Sequence, residues 1–346
     1  MRILGIETSC DETAAAVVED GHKLLSNVIA SSVDLHAAFG GVVPEIAARS
    51  HLESILPVID EALNQAKTKW DDIDAIAVTQ GPGLIGSLLI GVLTARTLAI
   101  TKNKPLYAVN HVKAHVCATF IDEAPKSYLL PTIAPSFPLL ALIVSGGHSS
   151  LVLFESHSDY TLLGQTADDA VGEAFDKVAK MLGLPYPGGP SIAEAAKKGD
   201  PTSVKLPTAQ MSGYDFSFSG LKTAVLRAAQ SLAGKDYTFA SNQLPEALTS
   251  AQKADLAASF QAVAIKTLID HLKKASEEYQ PASTAVVGGV AANVELRERA
   301  KATLPSVIYP DIKLCTDNAA MIAAVAFFEK QLADPCSLPV EPNLAL

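Results

Sequence analysis

Hydrophobic and polar positions alternate in short blocks at the start of the chain. The apolar runs "RILGIETSC", "TAAAVVED" and "KLLSNVIA" are separated by polar turns, which predicts three strands. The segment "PEIAARSHLESILPVIDEALNQAK" has helical spacing, and "IDAIAVTQ" predicts a fourth strand. After it come "GPGLIG", the apolar stretch 84–100, and the strand "PLYAVN", which leads into a helix that carries His111 and His115.

The second half of the chain opens with the same pattern. "LLALIVSGGHSSLVLFES" again predicts strand, tight turn and strand, followed by a third short strand and several helices. "TAVVGGVA" predicts a further strand, with helices starting near Asn293 and at "DNAAMIAAVAFF". The recurrence predicts an α/β fold with a cleft between two related lobes. We expect one lobe at 1–124 plus 317–346, the other at 138–316, and a Pro-rich connection at 125–137.

Composition and charge narrow the class of protein. The chain has 346 residues, of which 49% are hydrophobic and 18% charged, typical of a globular protein with a large core. A formal charge of −10 argues against a protein that coats nucleic acid on its own. The four cysteines lack C-x-x-C spacing, which indicates reduced thiols and a cytoplasmic location. Polar residues by position 7 predict no signal peptide, and Arg96 makes the stretch 84–100 a buried helix rather than a membrane span.

The sequence "NHVKAH" places His111 and His115 four positions apart, on one face of a helix. Val112 stands where the metalloprotease motif H-E-x-x-H has its glutamate, so a peptidase of that class is excluded. Asp317, at the predicted helix start in "CTDNAAM", offers a third ligand. Two imidazoles and one carboxylate leave coordination positions for a substrate, as in catalytic Zn²⁺ or Fe²⁺ sites. The alternative is two histidines that share a helix face without a metal.

Glycine-rich loops follow several predicted strands. "GPGLIG" fits G-x-G-x-x-G, but the next strand ends in Asn110 instead of an acid, which favours a tight turn over a dinucleotide site. "GIETSCDET" and "IVSGGHSS" place small and hydroxyl residues at two hairpin tips, in equivalent positions of the two lobes. Together they predict a phosphate clamp. "PYPGGPS" and "VVGGVAANVELR" are either plain turns or loops that admit a flat adenine.

The ordered motifs "GIETSCDETAAAVV", "GGVVPEIAARSH", "TQGPGLIGSLLIG", "NHVKAH", "LIVSGGHSSLV", "FSFSGLKTAV", "VVGGVAANVELR" and "CTDNAAM" carry a resemblance across residues 1–330. The chain resembles the universal tRNA threonylcarbamoyladenosine transferase family. The resemblance implies the two-lobed actin-like ATPase (ASKHA, RNase H-like) fold. It implies transfer of threonylcarbamoyl from threonylcarbamoyl-AMP to N6 of the adenosine 3′ of the anticodon, in tRNAs that read codons beginning with A.

The same resemblance implies specific residues and partners. It implies one Fe²⁺ or Zn²⁺ ion bound by His111, His115 and Asp317. It also implies substrate contacts from Ile143, Val144, Ser145, Gly146, Gly147, Asp176, Gly189 and Asn293. Bacterial relatives work with a TsaB-like paralogue, which pairs through an apolar helical face for which 45–67 is the candidate here, and a TsaE-like ATPase. Where many relatives carry an aspartate, this chain has Ala193, with Glu194 beside it, so a ribose contact there is in doubt.

Two chemical questions stay open at this point. Asp11 and Glu12, in the first predicted hairpin turn, are the candidates for proton handling or orientation during transfer. The competing function is an ASKHA-type kinase of a small metabolite, which would share the fold and the phosphate loops. Such a kinase would bind its nucleotide with Mg²⁺ through carboxylates and would have no use for His111 and His115.

Overall fold

The computed structural model describes residues 1–122, 134–209, 211–304 and 306–346, so most of the predicted Pro-rich connection at 125–137 lies outside the described residues. The chain packs as two compact units. Unit 1 comprises Met1–Phe137, Phe154–Tyr160 and Ile308–Leu346, and unit 2 comprises Pro138–Leu153 and Thr161–Val307.

The strands, in chain order, are β1 (Arg2–Glu7), β2 (Glu12–Glu19), β3 (Lys23–Ser31), β4 (Ala75–Gly81), β5 (Leu106–Asn110), β6 (Leu139–Val144), β7 (Ser149–Phe154), β8 (Tyr160–Gln165), β9 (Ser283–Val287), β10 (Val307–Ile308) and β11 (Leu332–Ala333). The helices are α1 (Val33–Ala37), α2 (Pro44–Gln65), α3 (Ile85–Lys102), α4 (His111–Cys117), α5 (Val171–Leu182), α6 (Gly188–Ala196), α7 (Ser219–Leu232), α8 (Leu244–Ala247), α9 (Ser250–Tyr279), α10 (Val294–Thr303) and α11 (Ala319–Glu329). The strands and helices predicted from the alternation of apolar and polar positions are confirmed.

Unit 1 is a three-layer sandwich built on one six-stranded sheet, in the order β11-β5-β4-β1-β2-β3. β1 pairs in parallel with β4 and antiparallel with β2, and β4 pairs in parallel with β5. Successive side chains of a strand point to opposite faces. Ile3 therefore packs in the core formed with α4 and α11, whereas Leu4 and Ile6 pack in the core formed with α2 and α3.

Residues 308–316, which the sequence analysis assigned to the second lobe, pack with unit 1. Leu314 is only 1% exposed and belongs to the apolar core around α11. The short helical turn Ile312–Leu314 thus leads directly into Asp317 and α11. Core burial, which a local sequence pattern does not reveal, sets this boundary.

α3 has the length and hydropathy of a membrane span. It packs against β4 and α2. Its Arg96 donates hydrogen bonds to the carbonyl oxygens of Pro335, Cys336 and Leu338 in the C-terminal segment. One face of α3 packs in unit 1, but Ile85, Leu89 and Ile100 are exposed, so the helix is partly buried and not the buried helix that the sequence analysis predicted.

Unit 2 is built on a five-stranded sheet in the order β10-β9-β6-β7-β8, in which β6 and β9 pair in parallel. α9 is its longest helix, and α6, α7 and α10 all pack on it. The rings of Phe175 and Phe260 lie edge to face with centroids 4.9 Å apart, and both residues are buried. Because β6 and β9 are parallel neighbours, the loops that follow them emerge at the same edge of this sheet.

Gly5 sets the distance between β1 and α11. A Cβ atom at this position would lie 2.2 Å from the carbonyl oxygen of Ala319 and 2.9 Å from the amide nitrogen of Ala323. Both contacts are with backbone atoms of the helix, which cannot rotate away. The first turn of α11 therefore rests directly on the central strand of the sheet.

We predict that Gly5→Ala destabilises the protein by about 1–3 kcal/mol or more, because α11 must shift to admit the methyl group. Gly41→Ala is the matched control, since a Cβ at Gly41 meets no atom within 4 Å in the described structure. Urea unfolding of the two variants checks the prediction. Equal midpoints for Gly5→Ala and wild type would contradict it.

Candidate metal centre and substrate loops

Two histidines come together because α4 starts immediately after β5. The side-chain oxygen of Asn110 accepts hydrogen bonds from the backbone N–H groups of Val112 and Lys113, which fixes the first turn of the helix. His111 and His115 then lie on one face with ring centroids 4.9 Å apart and their planes at 81°. Both are buried, with exposed fractions of 6% and 1%.

Asp317 approaches these rings from the start of α11. The next residue, Asn318, is fully buried, and its side-chain oxygen accepts from the N–H of Met321, which caps the helix. One oxygen of Asp317 lies 3.4 Å from Nε2 of His111 and 3.5 Å from Nε2 of His115. The three side chains thus present one ligand atom each, all within 4.8 Å of one another.

This arrangement fits a divalent metal ion. In tetrahedral coordination with bonds of about 2.1 Å, neighbouring ligand atoms are about 3.4 Å apart. The two His–Asp separations match that spacing. Neither ring nitrogen of His115 has a hydrogen-bond partner of good geometry in the described part of the chain, although both are buried. A buried polar atom without a partner is costly, and a metal bond at Nε2 would remove part of that cost.

Glu7 is a part of this site that the sequence analysis missed. Its carboxylate is completely buried at the end of β1 and accepts a hydrogen bond from Nδ1 of His111, at 2.9 Å. Burial alone would raise the pKa of Glu7, but the charge of His111 and the hydrogen bond outweigh it and lower that pKa. The available signal was a charged residue in an otherwise buried, apolar strand.

The carboxylates of Glu7 and Asp317 also shift the pKa of His111. Burial favours the neutral ring, but Asp317 and Glu7 on its two sides raise the pKa of His111 well above its usual value. The pKa of Asp317 is lowered, because the charges and hydrogen bonds of His111 and His115 outweigh its burial. The protein alone therefore holds two ionised carboxylates around one positive charge, an environment that attracts cations.

Asp11 and Glu12 lie at the turn between β1 and β2, where the sequence analysis predicted proton handling. Burial, followed by the nearby Asp317 and Asp11, raises the pKa of Glu12 to about 10. The hydroxyl of Ser31 donates a hydrogen bond to the Glu12 carboxyl group at 3.3 Å. Glu12 consequently carries its proton at neutral pH in the protein alone.

Hydrogen bonds to buried side chains fix the turn that precedes Asp11. The carbonyl of Cys10 accepts from Nε2 of His51 and from the hydroxyl of Ser87, and the N–H of Ser9 donates to Glu7. Thr8 and Ser9 are buried. The N–H of Ser9 and the carbonyl of Cys10 therefore already have hydrogen-bond partners within unit 1. The phosphate clamp at this turn stays a prediction.

The glycines of "GPGLIG" have structural reasons that require no dinucleotide. A Cβ at Gly81 would collide with the carbonyl oxygen of Glu341 in the C-terminal segment. Gly83 has φ +158° and lies against the backbone of Ser9, and a Cβ at Gly86 would press on the side chain of Ala48. These close approaches support the interpretation of the motif as a tight turn.

The loop after β6 carries most of the predicted substrate contacts. Ile143 and Val144 are completely buried within β6, so they anchor the loop rather than line a surface. Gly146 and Gly147 are exposed, and the carbonyl of Gly146 accepts from the N–H of Glu173 in α5. The N–H of Ser145 donates to the carbonyl of His148, which closes the turn.

Two more segments of unit 2 adjoin it. The carboxylate of Asp176 in α5 accepts from the N–H of Gly188 at 2.7 Å, which ties α5 to the first turn of α6, where Gly189 lies. Gly288, after β9, has φ +92° and lies against the carbonyl of Val144. The end of β6, the start of α6 and the turn after β9 are therefore each bonded to, or packed against, a neighbouring segment of unit 2.

Several glycines in these loops are not required by the fold. A Cβ at Gly146, Gly147, Gly189 or Gly289 would meet no atom within 4 Å in the described structure, and none of the four has a positive φ. Glycine at such positions leaves room for a ligand to approach the backbone closely.

Asn293 and Glu194 are engaged within the protein. The side-chain oxygen of Asn293 accepts from the N–H of Leu296, and its amide donates to Gln261, so the residue caps α10. Glu194 forms an exposed ion pair with Lys197 at 2.7 Å. A direct substrate contact of Asn293, and a ribose contact near Ala193, stay predictions.

Comparisons with known proteins find a family model and relatives that extend over most of the chain. A family model described as "TsaD: tRNA N6-adenosine threonylcarbamoyltransferase" matches residues 23–324. A protein of that name from Thermomicrobium roseum is 52% identical, with 96% of this chain and 92% of the relative aligned. One from Symbiobacterium thermophilum is 51% identical, with 94% and 91% aligned. Full-length HypF in its phosphate- and nucleotide-bound form matches 95% of this chain and 46% of its own, with a TM-score of 0.56 and 12% identity, a likeness of fold alone.

We predict that the wild-type chain retains about one Zn²⁺ per subunit after dialysis and that His115→Ala retains far less, because one of three ligands is lost. His22→Ala is the control, since His22 hydrogen-bonds to the carbonyl of Asp20 in an exposed turn. Elemental analysis of the dialysed proteins measures the difference. Equal zinc contents in wild type and His115→Ala would contradict the assignment.

Proposed function

The chain belongs to the family of tRNA N6-adenosine threonylcarbamoyltransferases, and we propose that it transfers threonylcarbamoyl from threonylcarbamoyl-AMP to N6 of the adenosine 3′ of the anticodon. The acceptors are tRNAs that read codons beginning with A. The observation that carries the proposal is the triad formed by the buried His111 and His115 and the partly exposed Asp317, in a chain of this family. A small-metabolite kinase is not favoured, because it has no use for the two histidines.

In the proposed reaction the protein contributes mainly by stabilising developing charge, and not by forming a covalent bond to either substrate. The amine nitrogen forms a bond to the carbamoyl carbon, the bond from that carbon to the phosphate oxygen breaks, and AMP leaves with the electron pair. A divalent ion held by the triad, Fe²⁺ or Zn²⁺, would supply a Lewis acid for the developing negative charge. The protein's own task is to hold the two substrates in contact and to receive the amine proton.

We assign the proton to the Asp11–Glu12 pair. Burial, followed by the charges of Asp317 and Asp11, raises the pKa of Glu12 to about 10, so Glu12 keeps its proton in the protein alone and can donate a hydrogen bond. We assign Asp11 as the acceptor for the proton released by the amine.

The donor is assigned to the loops of unit 2. The open space above Gly146, Gly147 and Gly189 supports close approach of an adenylate to the backbone there. Ser145 and Asp176 hold the loops in place, and Asn293 supports the loop after β9 through its cap of α10. These assignments follow the residues that the family resemblance implies.

The distribution of charge between the two units supports an assignment of the unit that contacts tRNA. Unit 1 has 12 lysine and arginine residues against 22 aspartate and glutamate residues, whereas unit 2 has 15 of each. The whole net charge of −10 therefore belongs to unit 1. Because phosphate contacts come from lysine and arginine, we assign most tRNA contacts to unit 2 and to partner proteins.

A transfer assay tests the function. Purified protein with its two expected partners, unmodified tRNA and threonylcarbamoyl-AMP made from labelled threonine should place label in the tRNA. His111→Ala should lower the rate about 100-fold or more, because the metal's charge stabilisation is lost. His22→Ala should match wild type. Unlabelled tRNA together with ATP-dependent phosphorylation of a small metabolite would establish the kinase instead.

An exposed apolar surface on unit 1 supports docking of the TsaB-like paralogue. Leu52 and Leu56 on α2 are 66% and 60% exposed, and Ile85, Leu89 and Leu93 follow at helical spacing on the adjacent α3. A continuous apolar stripe on two packed helices is typical of a protein interface. We further assign a cytoplasmic location, and a TsaE-like ATPase as the second partner.

We predict that Leu52→Asp combined with Leu56→Asp weakens binding of the TsaB-like paralogue at least about tenfold, because charge replaces buried apolar contacts. Leu232→Asp on α7 of unit 2, 41% exposed in wild type, is the control and should bind normally. Calorimetric titration measures both affinities. Wild-type affinity in the double variant would exclude this surface.

A further inference from the structure

Glu7 is a carboxylate in an unusual place. It ends the central strand β1, is 0% exposed, and follows Leu4 and Ile6, which are core residues of unit 1. Burial of an ionised carboxylate is costly unless its oxygens are fully hydrogen-bonded. The residue is therefore held there by specific partners, and those partners identify its task.

Three elements converge on this carboxylate. Oε2 accepts from the hydroxyl of Thr79 on β4 at 2.6 Å and from Nδ1 of His111 on α4 at 2.9 Å, and Oε1 accepts from the N–H of Ser9. Thr79 and Ser9 fix the carboxylate from two sides. The third partner, His111, is thereby fixed in turn.

The consequence for His111 is a defined tautomer and a defined ring orientation. Nδ1 lies 2.9 Å from the Glu7 carboxylate, which can only accept, and 3.2 Å from the Ser9 hydroxyl, which can donate or accept, so the shorter contact places the proton on Nδ1. The ring then directs Nε2 to Asp317, 3.4 Å away. His115 has no such support, since neither of its nitrogens has a partner of good geometry among the described residues. The ring orientation of His111 is therefore fixed through its second nitrogen, whereas that of His115 is not.

We propose that Glu7 is a positioning residue that holds His111 as the Nδ1–H tautomer, with Nε2 presented to the metal ion. The proposal rests on the metal assignment of the proposed function and extends it to a residue that does not itself bind the ion. Carboxylates that accept from the second nitrogen of a metal-bound histidine fix its orientation and raise its basicity. Glu7 would make His111 the stronger of the two imidazole ligands.

The test is zinc affinity in the full chain, without tRNA or donor. Glu7→Gln keeps the shape but removes the charge, and it should raise the dissociation constant for Zn²⁺ about 10- to 100-fold in competition with a chelating indicator. Thr13→Val is the matched control, because it removes a buried hydroxyl bonded to Nδ1 of His51 and leaves the triad untouched. Its zinc affinity should equal that of wild type.

A second measurement needs no variant. Long-range ¹H–¹⁵N NMR of the zinc-loaded wild type should show His111 with its proton on Nδ1 and the metal on Nε2. The opposite assignment would overturn the proposal even if Glu7→Gln failed to fold. A folded Glu7→Gln protein with wild-type zinc affinity would overturn it while leaving the metal assignment intact. A wild type that binds neither Zn²⁺ nor Fe²⁺ would overturn both.

Discussion

The structure of unit 1 depends on how the charges of two carboxylates are compensated around His111. Glu7, which is completely buried, and Asp317, whose side chain is 20% exposed, lie at the two ring nitrogens of His111, and the burial of Glu7 would be costly without partners. The charge of His111 and the donors Thr79 and Ser9 offset this cost for Glu7. Because those partners come from β4, the β1–β2 turn and α4, the elements cannot shift independently. The central sheet, the metal helix and the loop that carries Asp11 and Glu12 are therefore one connected arrangement.

Small residues make this convergence possible. α11 is rich in alanine, and its first turn lies directly on Gly5, so Asp317 reaches the face of α4 that carries the histidines. Ala14 and Ala16 of β2 are buried in the same core as this helix. Larger side chains at these positions would separate α11 from the sheet and move Asp317 away from Nε2 of both histidines. Packing distance, in addition to ligand identity, thus controls whether the triad can hold a metal ion.

The secondary structure and the histidine pair could be predicted from the sequence, because both depend on short-range spacing. Alternation located β1 to β5, and the four-residue spacing of His111 and His115 indicated one helical face. Asp317 was a candidate because of its place at a predicted helix start and because of the family resemblance. Three features could not be predicted in this way. Glu7 is held by Thr79, 72 positions away, and Gly81 is required by the carbonyl of Glu341 near the C-terminus. The boundary near 308–316 depends on the burial of Leu314. Each of these depends on a contact between residues that are far apart in the sequence, which a local sequence pattern does not reveal.

Charge explains why the proposed reaction requires a cation in unit 1. Both substrates, an adenylate and a tRNA, are anionic, and unit 1 carries the whole net negative charge of the chain. Glu7 and Asp317, whose pKa values are lowered, add to that repulsion beside the two histidines. A divalent ion on the triad would reverse the local sign. Unit 2 has a balanced charge and glycines open to solvent, so we assign the phosphate group of the donor to backbone N–H groups there, where no metal ion would be required.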